Sequence, residues 1–341
     1  MAASIEDVAR RAGVSIATVS RALRGLPDVA TATRDRVLAA AAELDYVASP
    51  FAARLASGRT NTVGLVVPFI SRWYFGEVID AVETTLRMAG FDLLLYNLGD
   101  EAGRARFFER MPMRKRVDAV LIASLVLAEN EIDALLTLGC PLGSLGLEHD
   151  NFLSTSIDDA AGARVAAQHL LALGHRRIAT IGGDPDDPMR ITPPLRRREG
   201  FRSALREAGI EPDPQLEQLG YFTLAGGLEA CDRLLALPER PTAIFAESDE
   251  MAFGAIRSLR LHGLRVPEDV ALIGFDDHVT AEVLDLSTIR QPVPAQAHDI
   301  TTRLLAAVEA GDDEPPTVDV VLPTELVVRG STDPSRSVYQ S

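Results

Sequence analysis

The sequence predicts two folds in one chain: a small all-α domain of the helix-turn-helix type, then an α/β domain of two lobes built on parallel sheets. Two short helical patterns separated by a glycine open the chain, within residues 4–24. From residue 62 onward, apolar runs of strand length alternate with amphipathic helical patterns. Such alternation indicates parallel sheets that are covered on both faces. The strands are too many for one sheet of ordinary size, which predicts two lobes with a cleft between them.

Capping residues and a glycine divide residues 4–24 into two helices. Ser4 can cap the first helix, Gly13 allows the chain to reverse, and Ser15 can cap the second helix. Each helix has one apolar face at helical spacing, formed by Ile5, Val8, Ala9 and Ala12 in the first and by Val19, Ala22 and Leu23 in the second. This pair has the shape of a DNA-reading helix-turn-helix. The outer face of the second helix is left to Ile16, Ala17, Ser20 and Arg21.

A third amphipathic segment, over residues 34–45, completes the predicted N-terminal domain. Its apolar residues at helical spacing are Val37, Leu38, Ala41 and Leu44. Three helices can then share one small core, which would hold the second helix rigid as a recognition helix. The alternative is a generic three-helix module with no role in DNA binding.

Residues 47–60 connect the two predicted domains as a hinge helix or linker. The segment contains Pro50, small residues around Leu55, and Ser57-Gly58 before the body. It is too short to form a stable helix alone, but it could form one against a partner copy and DNA. Leu55 would then be an apolar wedge between base steps in the minor groove. The alternative is that Leu55 covers the core of the body.

Strand and helix patterns alternate through the body. The clearest predicted strands cover residues 62–67, 91–96, 117–123, 177–182, 242–246 and 270–275. Predicted helices lie near residues 76–89, 101–111, 129–138, 160–173, 196–209, 225–236, 249–262 and 296–310. The apolar pattern pauses at residues 153–159, which we interpret as the boundary between the lobes. Ligands in such folds gather at the carboxyl ends of the parallel strands.

Charge is unevenly distributed along the chain. The net charge is −15, which argues against nucleic-acid binding over the whole surface. Residues 1–60 nevertheless carry eight arginines and six acidic residues, a net charge of +2, and the remainder carries −17. The basic share therefore lies where DNA contact is expected. A charge of only +2 predicts weak binding by one copy, so we expect a dimer.

Composition excludes several classes of protein. A hydrophobic content of 47% is enough for a large core. No segment approaches the roughly 20 apolar residues of a membrane span, and no basic region followed by an apolar run opens the chain, so we expect a cytoplasmic protein. Cys140 and Cys231 predict neither a disulfide nor a metal site, and the six histidines show no metal-ligand spacing. We therefore expect no metal and no cofactor.

Several motifs follow one another in a characteristic order. They are Ile5-Glu6-Asp7-Val8-Ala9 through Gly13-Val14-Ser15 and Thr18-Val19-Ser20-Arg21, Leu44-Asp45-Tyr46, Ala52 to Leu55 with Gly58-Arg59-Thr60, Gly174-His175-Arg176-Arg177-Ile178, Arg197 before Gly200-Phe201, Ser248-Asp249 with Met251-Ala252 and Gly254, Gly274-Phe275-Asp276-Asp277, and Glu325-Leu326-Val327-Val328-Arg329. In this order and spacing they resemble the LacI/GalR family of bacterial transcription repressors, over essentially the whole length.

The resemblance implies a homodimer whose paired helix-turn-helix modules bind a near-palindromic operator while hinge helices insert a leucine pair at its centre. It implies a body like the periplasmic sugar-binding fold, with a small effector in the cleft. A sugar is the first expectation for this effector, and a nucleoside or purine is the second. The domains are then a helix-turn-helix domain (1–46), a hinge (47–60), a two-lobed effector-binding and dimerisation domain (61–330) and a tail (331–341). The tail has no leucine heptads, so a dimer is expected rather than a coiled-coil tetramer.

The resemblance assigns DNA contacts to the second helix and the hinge. The residues are Ser15, Ile16, Ala17, Thr18, Ser20, Arg21 and Leu55. Arg21 suits a bidentate contact to guanine, whereas Ile16 and Ala17 can make only apolar contacts such as one to a thymine methyl. Thr18 and Ser20 suit phosphate or base contacts, and Leu55 matches the intercalating leucine.

The resemblance also assigns effector contacts to the body. The residues are Trp73, Tyr74, Phe75, His149, Arg197, Phe222, Ser248, Asp276 and Gln291. Arg197 can donate in a fork and Asp276 can accept from adjacent hydroxyls, as polyols require, while an aromatic ring can cover the apolar face of a sugar. The alternatives are that Arg197 is a solvated helix start, that the aromatics belong to the core, and that Asp276 only caps a turn.

Two other functions remain in competition with an effector-controlled repressor. Residues 62–330 alone could serve as a solute-binding protein of the periplasmic type, although such a protein has no use for the first 60 residues. An enzyme is the less favoured reading, because no Gly-x-x-x-x-Gly-Lys loop or Gly-x-Gly-x-x-Gly turn follows a strand and no nucleophile with a paired base is visible. We therefore expect no catalytic activity.

Overall fold

A computed structural model describes residues 3–23, 28–46, 59–191, 193–311, 319–333 and 335. The chain divides into two compact units, Met1–Asn61 and Thr62–Ser341. The predicted hinge over residues 47–60, apart from residues 59 and 60, lies outside the described part, and the prediction for Leu55 lies there with it.

The first unit has three helices, α1 (Ile5–Ala12), α2 (Ile16–Leu23) and α3 (Thr31–Glu43). Ser4 and Asp7 form a capping box at the start of α1, and Gly13 ends that helix with a φ of 66°. Val8, Val19 and Val37 are completely buried in the shared core. The predicted apolar faces of α1 and α2 are therefore confirmed. For α3 the prediction is wrong at Leu38, which is 47% exposed, whereas Val37 and Ala41 are buried.

Helix α3 begins three residues before its predicted start. Ala30 precedes the helix and makes no side-chain cap hydrogen bond. Because capping side chains are the local signal for a helix start, the sequence around Ala30 carries little to mark this boundary.

The second unit contains two lobes, each with a six-stranded sheet. The strands are β1 (Thr62–Val67), β2 (Asp92–Asn97), β3 (Ala119–Ala123), β4 (Leu142–Leu145), β5 (Leu153–Ile157), β6 (Ile178–Gly182), β7 (Glu217–Leu219), β8 (Ala243–Ala246), β9 (Ala271–Asp276), β10 (Ser287–Arg290), β11 (Val320–Leu322) and β12 (Glu325–Val327). The first sheet has the order β11-β5-β4-β3-β1-β2 and the second β12-β10-β9-β8-β6-β7. All pairs are parallel except β10 with β12.

Helices cover the sheets. They are α4 (Trp73–Met88), α5 (Glu101–Arg110), α6 (Glu129–Leu136), α7 (Asp159–Ala172), α8 (Pro193–Glu207), α9 (Leu224–Leu235), α10 (Asp249–Leu261), α11 (Val279–Val283) and α12 (Val293–Ala310), with a 3₁₀ turn at Pro214–Leu216. Helices α4 and α12 pack together on the first sheet, and α7 and α8 pack together in the second lobe. The chain crosses between the lobes after β5, after β10 and between β11 and β12.

Residues 153–159, predicted as the boundary between the lobes, contain strand β5 and the crossing that follows it, although β5 itself was not among the predicted strands. All five residues of β5 are buried. Its hydroxyls bond to acidic residues distant in the sequence, Ser154 to Asp319 at 2.6 Å and Thr155 to Asp299 at 2.7 Å. Partners of this kind make polar residues acceptable at buried positions. The crossing to the second lobe follows directly, at residue 158.

Candidate functional site

Helix α2 presents the predicted DNA-reading residues on one exposed face. The Ser15 hydroxyl caps the helix by accepting from the Thr18 amide at 3.2 Å. Ile16 is 46% exposed, and Ala17 and Arg21 are also exposed. On the opposite face, Val19 and Ala22 are buried. Because the buried face fixes the helix, the outer face is held in a defined orientation.

Arg21 is held only loosely by the protein. Its Nη1 lies 3.7 Å from Asp28 Oδ2, and both side chains are 55% exposed. An ion pair of this kind contributes little to stability. The guanidinium can therefore leave Asp28 for another partner at small cost.

A cavity lies between the two lobes of the body, at the carboxyl ends of their strands. It encloses about 680 Å³ of space outside protein atoms, part of it open to solvent. Its lining comprises Arg72, Tyr74, Phe75, Ser124, Gly146, Ile157, Asp159, Ile191, Pro193, Arg197, Phe222, Ser248, Glu250, Asp276, Gln291 and Gln296. This is the edge at which parallel α/β folds bind ligands.

Arg197 is the centre of the charged part of the lining. It is 3% exposed, and its Nε donates to Asp159 Oδ1 at 2.7 Å. Its Nη1 donates to the Glu247 carbonyl oxygen, and its Cζ lies 3.6 Å from the centroid of the Phe275 ring. Among the described residues, its second terminal nitrogen, Nη2, has no hydrogen-bond partner. The guanidinium is thus fixed in place with donor capacity left over.

Asp276 accepts a hydrogen bond from the Gln291 amide at 2.5 Å. Burial raises the pKa of Asp276 to about 7, against the lowering effect of Arg197 and of the Gln291 bond. Asp249 lies beneath and is completely buried, where it accepts from the Thr288 hydroxyl and the His278 amide, each at 2.8 Å. Burial, and then the nearby Asp276 charge, raise the pKa of Asp249 well above its usual range.

Glu247 is a further buried carboxyl group of the second lobe. Burial raises its pKa to about 8, although Gly183 donates its amide to Oε2 at 3.1 Å. A Cβ at Gly182 would lie only 2.7 Å from the Glu247 carboxyl carbon. Gly182, the last residue of β6, therefore makes room for this side chain, and Gly183 supplies the amide that it accepts from.

The first lobe contributes mainly neutral groups. Tyr74 has its hydroxyl 3.2 Å from the Ser124 hydroxyl, which donates to it, and burial raises the pKa of Tyr74 to about 12. Phe75 is buried behind Tyr74. Gln296 is 4% exposed, and its Oε1 has no hydrogen-bond partner in the described part of the chain. Arg72 adds one guanidinium, stacked at 4.0 Å on the Phe69 ring.

Three residues of the cavity lining have a left-handed backbone. Ser124, Phe222 and Asp276 have φ values of 54°, 53° and 124°. A non-glycine residue adopts such a φ value only at a cost in free energy, so the surrounding structure must hold its backbone in place. Residues of this kind are frequent at ligand sites.

The structure brings seven of the nine predicted effector residues together around the cavity. They are Tyr74, Phe75, Arg197, Phe222, Ser248, Asp276 and Gln291. Of the alternatives, the solvated helix start is wrong for Arg197, which is buried. Phe75 also belongs to the core of the first lobe.

Trp73 and His149 do not line the cavity. Trp73 precedes Tyr74 by one helical position, about 100° around the axis, and its ring packs 4.9 Å from the His278 ring of the second lobe. His149 lies in the turn between β4 and β5, where its Nδ1 accepts from the Asn151 amide and its ring packs on Phe152.

Several lining residues were missed by sequence reasoning. The polar ones are Arg72, Ser124, Asp159, Glu250 and Gln296. Asp159 follows directly after a strand and its crossing, which is the one local signal that could have found it. Gln296 lies within an apolar helical pattern and gives no such signal.

Neither a candidate metal site nor a helix able to span a membrane occurs in the part of the chain that the structure describes. Its residues contain no group of three or more potential metal ligands, and none of its helices is long and apolar enough to cross a membrane. Burial raises the pKa of both the Cys140 and Cys231 thiols to about 11.

An exposed helix-turn-helix face and a two-lobed body around a polar cavity, in one chain, define the class of ligand-responsive DNA-binding regulators. Residues 4–49 match the family model described as bacterial regulatory proteins, lacI family. Residues 167–332 match the model described as periplasmic binding protein-like domain. The chain belongs to the LacI family of bacterial transcriptional regulators.

Relatives match along nearly the whole chain. The HTH-type transcriptional regulator DegA of Bacillus subtilis (strain 168) is 34% identical over 344 residues, covering 98% of this chain and 99% of DegA. The structure of the transcriptional regulator CelR in complex with cellobiose is 33% identical, with a TM-score of 0.71, over 96% of this chain and 99% of that chain. The structure of the lac repressor dimer bound to operator and the anti-inducer ONPF is 25% identical, with a TM-score of 0.85. The match covers 97% of this chain and 99% of that chain. These relatives are transcriptional regulators rather than enzymes or solute-binding proteins.

Proposed function

We propose that this regulator binds a near-palindromic operator as a homodimer and represses transcription, and that a sugar in the cavity between the lobes changes its affinity for the operator. The observation that carries the proposal is the cavity itself, which joins a fixed guanidinium and a carboxyl group on one lobe to aromatic rings on the other. That combination is the one that a neutral polyol with an apolar ring face requires. Because the operator lies on chromosomal DNA, we place the protein in the cytoplasm.

DNA recognition is assigned to the exposed face of α2. Arg21 makes the base contact that discriminates most, a bidentate bond to guanine. Ser15, Thr18 and Ser20 contact phosphates or base edges, and Ile16 and Ala17 contribute apolar contacts. In the hinge, Leu55 is proposed as the wedge that enters the minor groove at the operator centre.

Dimer formation is supported by charge and by similarity. A net charge of +2 in residues 1–60 is small for tight binding by one copy. The similar lac repressor is described as a dimer bound to its operator. Two copies related by a twofold axis would place two recognition helices on two half-sites.

Effector recognition is assigned to groups on both walls of the cavity. Arg197 donates to adjacent hydroxyls of the sugar through Nη2, and Asp276 accepts from them. Tyr74 and Phe222 cover its apolar face, and Ser248 and Gln291 complete the polar contacts. The structure with cellobiose shows that a similar regulator binds a disaccharide.

The sugar can change DNA affinity only by favouring one arrangement of the lobes over another. Both lobes contact the cavity, so a ligand that touches both walls has the differential affinity that such a change needs. In the proposed dimer, the lobe arrangement would set the spacing of the two hinges.

The DNA half is tested with duplexes selected by the full-length protein from a random palindromic library. Affinity is measured by fluorescence anisotropy at one fixed salt concentration. Arg21→Ala is expected to weaken binding by about tenfold or more, because a bidentate base contact contributes roughly 1–3 kcal/mol. Arg87→Ala is the matched control, since Arg87 is also exposed and also paired with a carboxylate, Glu83. Equal losses in both variants, or no selected palindrome, would contradict the proposal.

The effector half is tested by thermal shift with ribose, glucose, galactose and cellobiose. A sugar at 100 times its dissociation constant adds about 2.7 kcal/mol of stability. A sugar that raises the melting temperature is then expected to alter operator affinity, and to bind at least tenfold more weakly to Asp276→Asn. Asp80→Asn, at an exposed position on α4, is the control. Unchanged binding to Asp276→Asn would refute the assigned contacts.

A further inference from the structure

A segment of the second lobe is inserted into the first lobe next to the cavity. Residues 184–191, here called the strap, follow β6 and lead into α8. The Met189 side chain is 4% exposed and packs in a hydrophobic core of the first lobe that includes Phe107 and Leu125. The strap therefore connects the lobes by burial of a side chain, beyond the chain crossings themselves.

Backbone bonds dock the strap onto the first lobe. The Val126 amide donates to the Arg190 carbonyl at 2.7 Å, and Leu125 and Ile191 form an isolated antiparallel bridge. Arg190 has a φ of 51°, so the backbone is held in a left-handed conformation at this contact. Ile191 itself lines the cavity.

Arg104 fastens this arrangement from the first lobe. It lies on α5, is 5% exposed, and forms a two-bond pair with Glu131, through Nε at 2.8 Å and Nη2 at 2.6 Å. Its Nη2 also donates to the Val126 carbonyl at 2.7 Å, and its Nη1 donates to the Met189 carbonyl. One guanidinium thus joins α5, the segment after β3, the start of α6 and the strap.

Only the planar fork of arginine can make this set of bonds. A lysine ammonium is a single donor centre on a flexible stem, so it could satisfy Glu131 or the strap carbonyl but not all three acceptors at once. The role of Arg104 is therefore one of geometry as much as of charge.

We infer that Arg104 is a positioning residue of the cavity: by fastening the strap, it holds Ile191 and α8 of the second lobe against the first lobe. The effector role of the cavity rests on the proposed function, whereas the fastening does not. Separation of the lobes must withdraw Met189 from the first lobe and break its carbonyl bond to Arg104. The strap then contributes to the balance between closed and open lobes, and with it to the affinity for the sugar.

The protein contains its own reporter of lobe closure. Trp73 is the only tryptophan of the chain, and its ring lies 4.9 Å from that of His278 on the opposite lobe. Separation of the lobes would expose the indole to water, which moves its emission to longer wavelength and increases its quenching by acrylamide. Burial lowers the pKa of His278, so at pH 8 the imidazole is neutral and does not disturb this signal.

The test compares full-length wild type, Arg104→Ala, Arg104→Lys, Met189→Ala and the control Arg106→Ala at pH 8 without ligand. Arg106 lies on the same helix and is exposed. We expect the Trp73 emission to shift to longer wavelength and to be quenched more strongly in Arg104→Ala and in Met189→Ala. Arg104→Lys is expected to show the same change as Arg104→Ala, whereas Arg106→Ala is expected to behave as wild type. A double variant with both Arg104→Ala and Met189→Ala is expected to differ little from either single variant, because both substitutions release the same strap.

Wild-type emission and quenching in folded Arg104→Ala would overturn the inference, since a purely structural role changes unfolding but not the native signal. If Arg104→Ala does not fold, Met189→Ala decides alone, because it releases the strap without leaving Glu131 buried and unpaired. Absence of any sugar binding in wild type would contradict the proposed effector, but it would leave the fluorescence result, and so the inference, standing.

Discussion

The two walls of the cavity differ in the kind of group they offer. The second lobe presents charged groups that each have a polar partner within the protein, Arg197 with Asp159 and Asp276 with Gln291. Apart from Arg72, the first lobe presents neutral groups, the Tyr74 hydroxyl and the amide of Gln296, and the Gln296 oxygen has no partner among the residues described. One wall is a charge network in which each member depends on the others, and the other is a set of separate groups.

The contrast indicates where folding stability and ligand binding depend on the same residues. In a buried network, removal of one partner leaves another charge desolvated and unpaired, so the fold and the ligand affinity are lost together. On the neutral wall, a side chain can be replaced by one of similar volume with little effect on folding. The comparison therefore predicts opposite responses to substitution on the two walls.

Arg197→Ala gives the largest expected effect. It leaves Asp159 buried without its partner, and breaking a buried pair costs about 3–5 kcal/mol of unfolding free energy. Urea unfolding of the full-length protein measures this loss. Arg196→Ala is the matched control, since Arg196 is 50% exposed and lies 3.9 Å from Glu148. A loss of equal size at both positions would remove the distinction between a network and a surface pair.

Glu247→Gln tests the network through pH. The folded-state pKa of Glu247 is raised to about 8 from 4.5, so its contribution to stability is fully present below pH 4.5 and is lost as the pH rises through 8. The glutamine cannot ionise, so the unfolding free energy of the variant should equal that of wild type near pH 5 and exceed it near pH 9. The difference is expected to reach up to a few kcal/mol, because each unit of pKa shift corresponds to about 1.4 kcal/mol. The measurement is the melting temperature against pH, with Glu309→Gln, exposed on α12, as control. A parallel pair of curves for Glu247→Gln and wild type would mean that this carboxyl is not held in its neutral form.

Gln296→Leu gives the smallest expected change in stability and probes the neutral wall. It removes a buried oxygen that lacks a partner, so the unfolding free energy should stay equal or rise by about 1 kcal/mol. A sugar that binds wild type should bind this variant more weakly, because the wall loses a polar group. Gln215→Leu, at an exposed position outside the cavity lining, is expected to leave sugar binding unchanged. A clear loss of stability in Gln296→Leu would show that both walls depend on internal polar contacts.

Local signals predicted most of the elements but not all of them. The helix-turn-helix was predictable because Ser4, Gly13 and Ser15 act over three or four residues, within the reach of sequence reasoning. Strand β5 was not, because its buried hydroxyls are satisfied by Asp299 and Asp319, more than 140 positions further along the chain. The local pattern of polar and apolar residues in β5 carries no information about hydrogen-bond partners so far away in the sequence.

The same limit applies to the cavity. Arg197 and Asp276 belong to two of the motifs that the sequence shares with the family, and the structure places both residues at one site. Trp73, predicted as an effector contact together with Tyr74, does not line the cavity, because the side chains of neighbouring helical positions point in different directions. Gln296 was hidden in an amphipathic helix, where nothing in the sequence distinguishes a core-facing amide from a surface one.

The family, the second helix of the helix-turn-helix with Arg21 on its outer face, and the alternation of strands and helices could be predicted from the amino-acid order alone, because they depend on near neighbours and on ordered motifs. Three features become visible only in the folded chain: which polar groups meet in the cavity, the contact of Trp73 with His278, and the strap that joins the lobes through Met189 and Arg104. The physical reason is that these outcomes depend on contacts between residues distant in sequence, and on burial, which determines both the partners of a charge and its pKa.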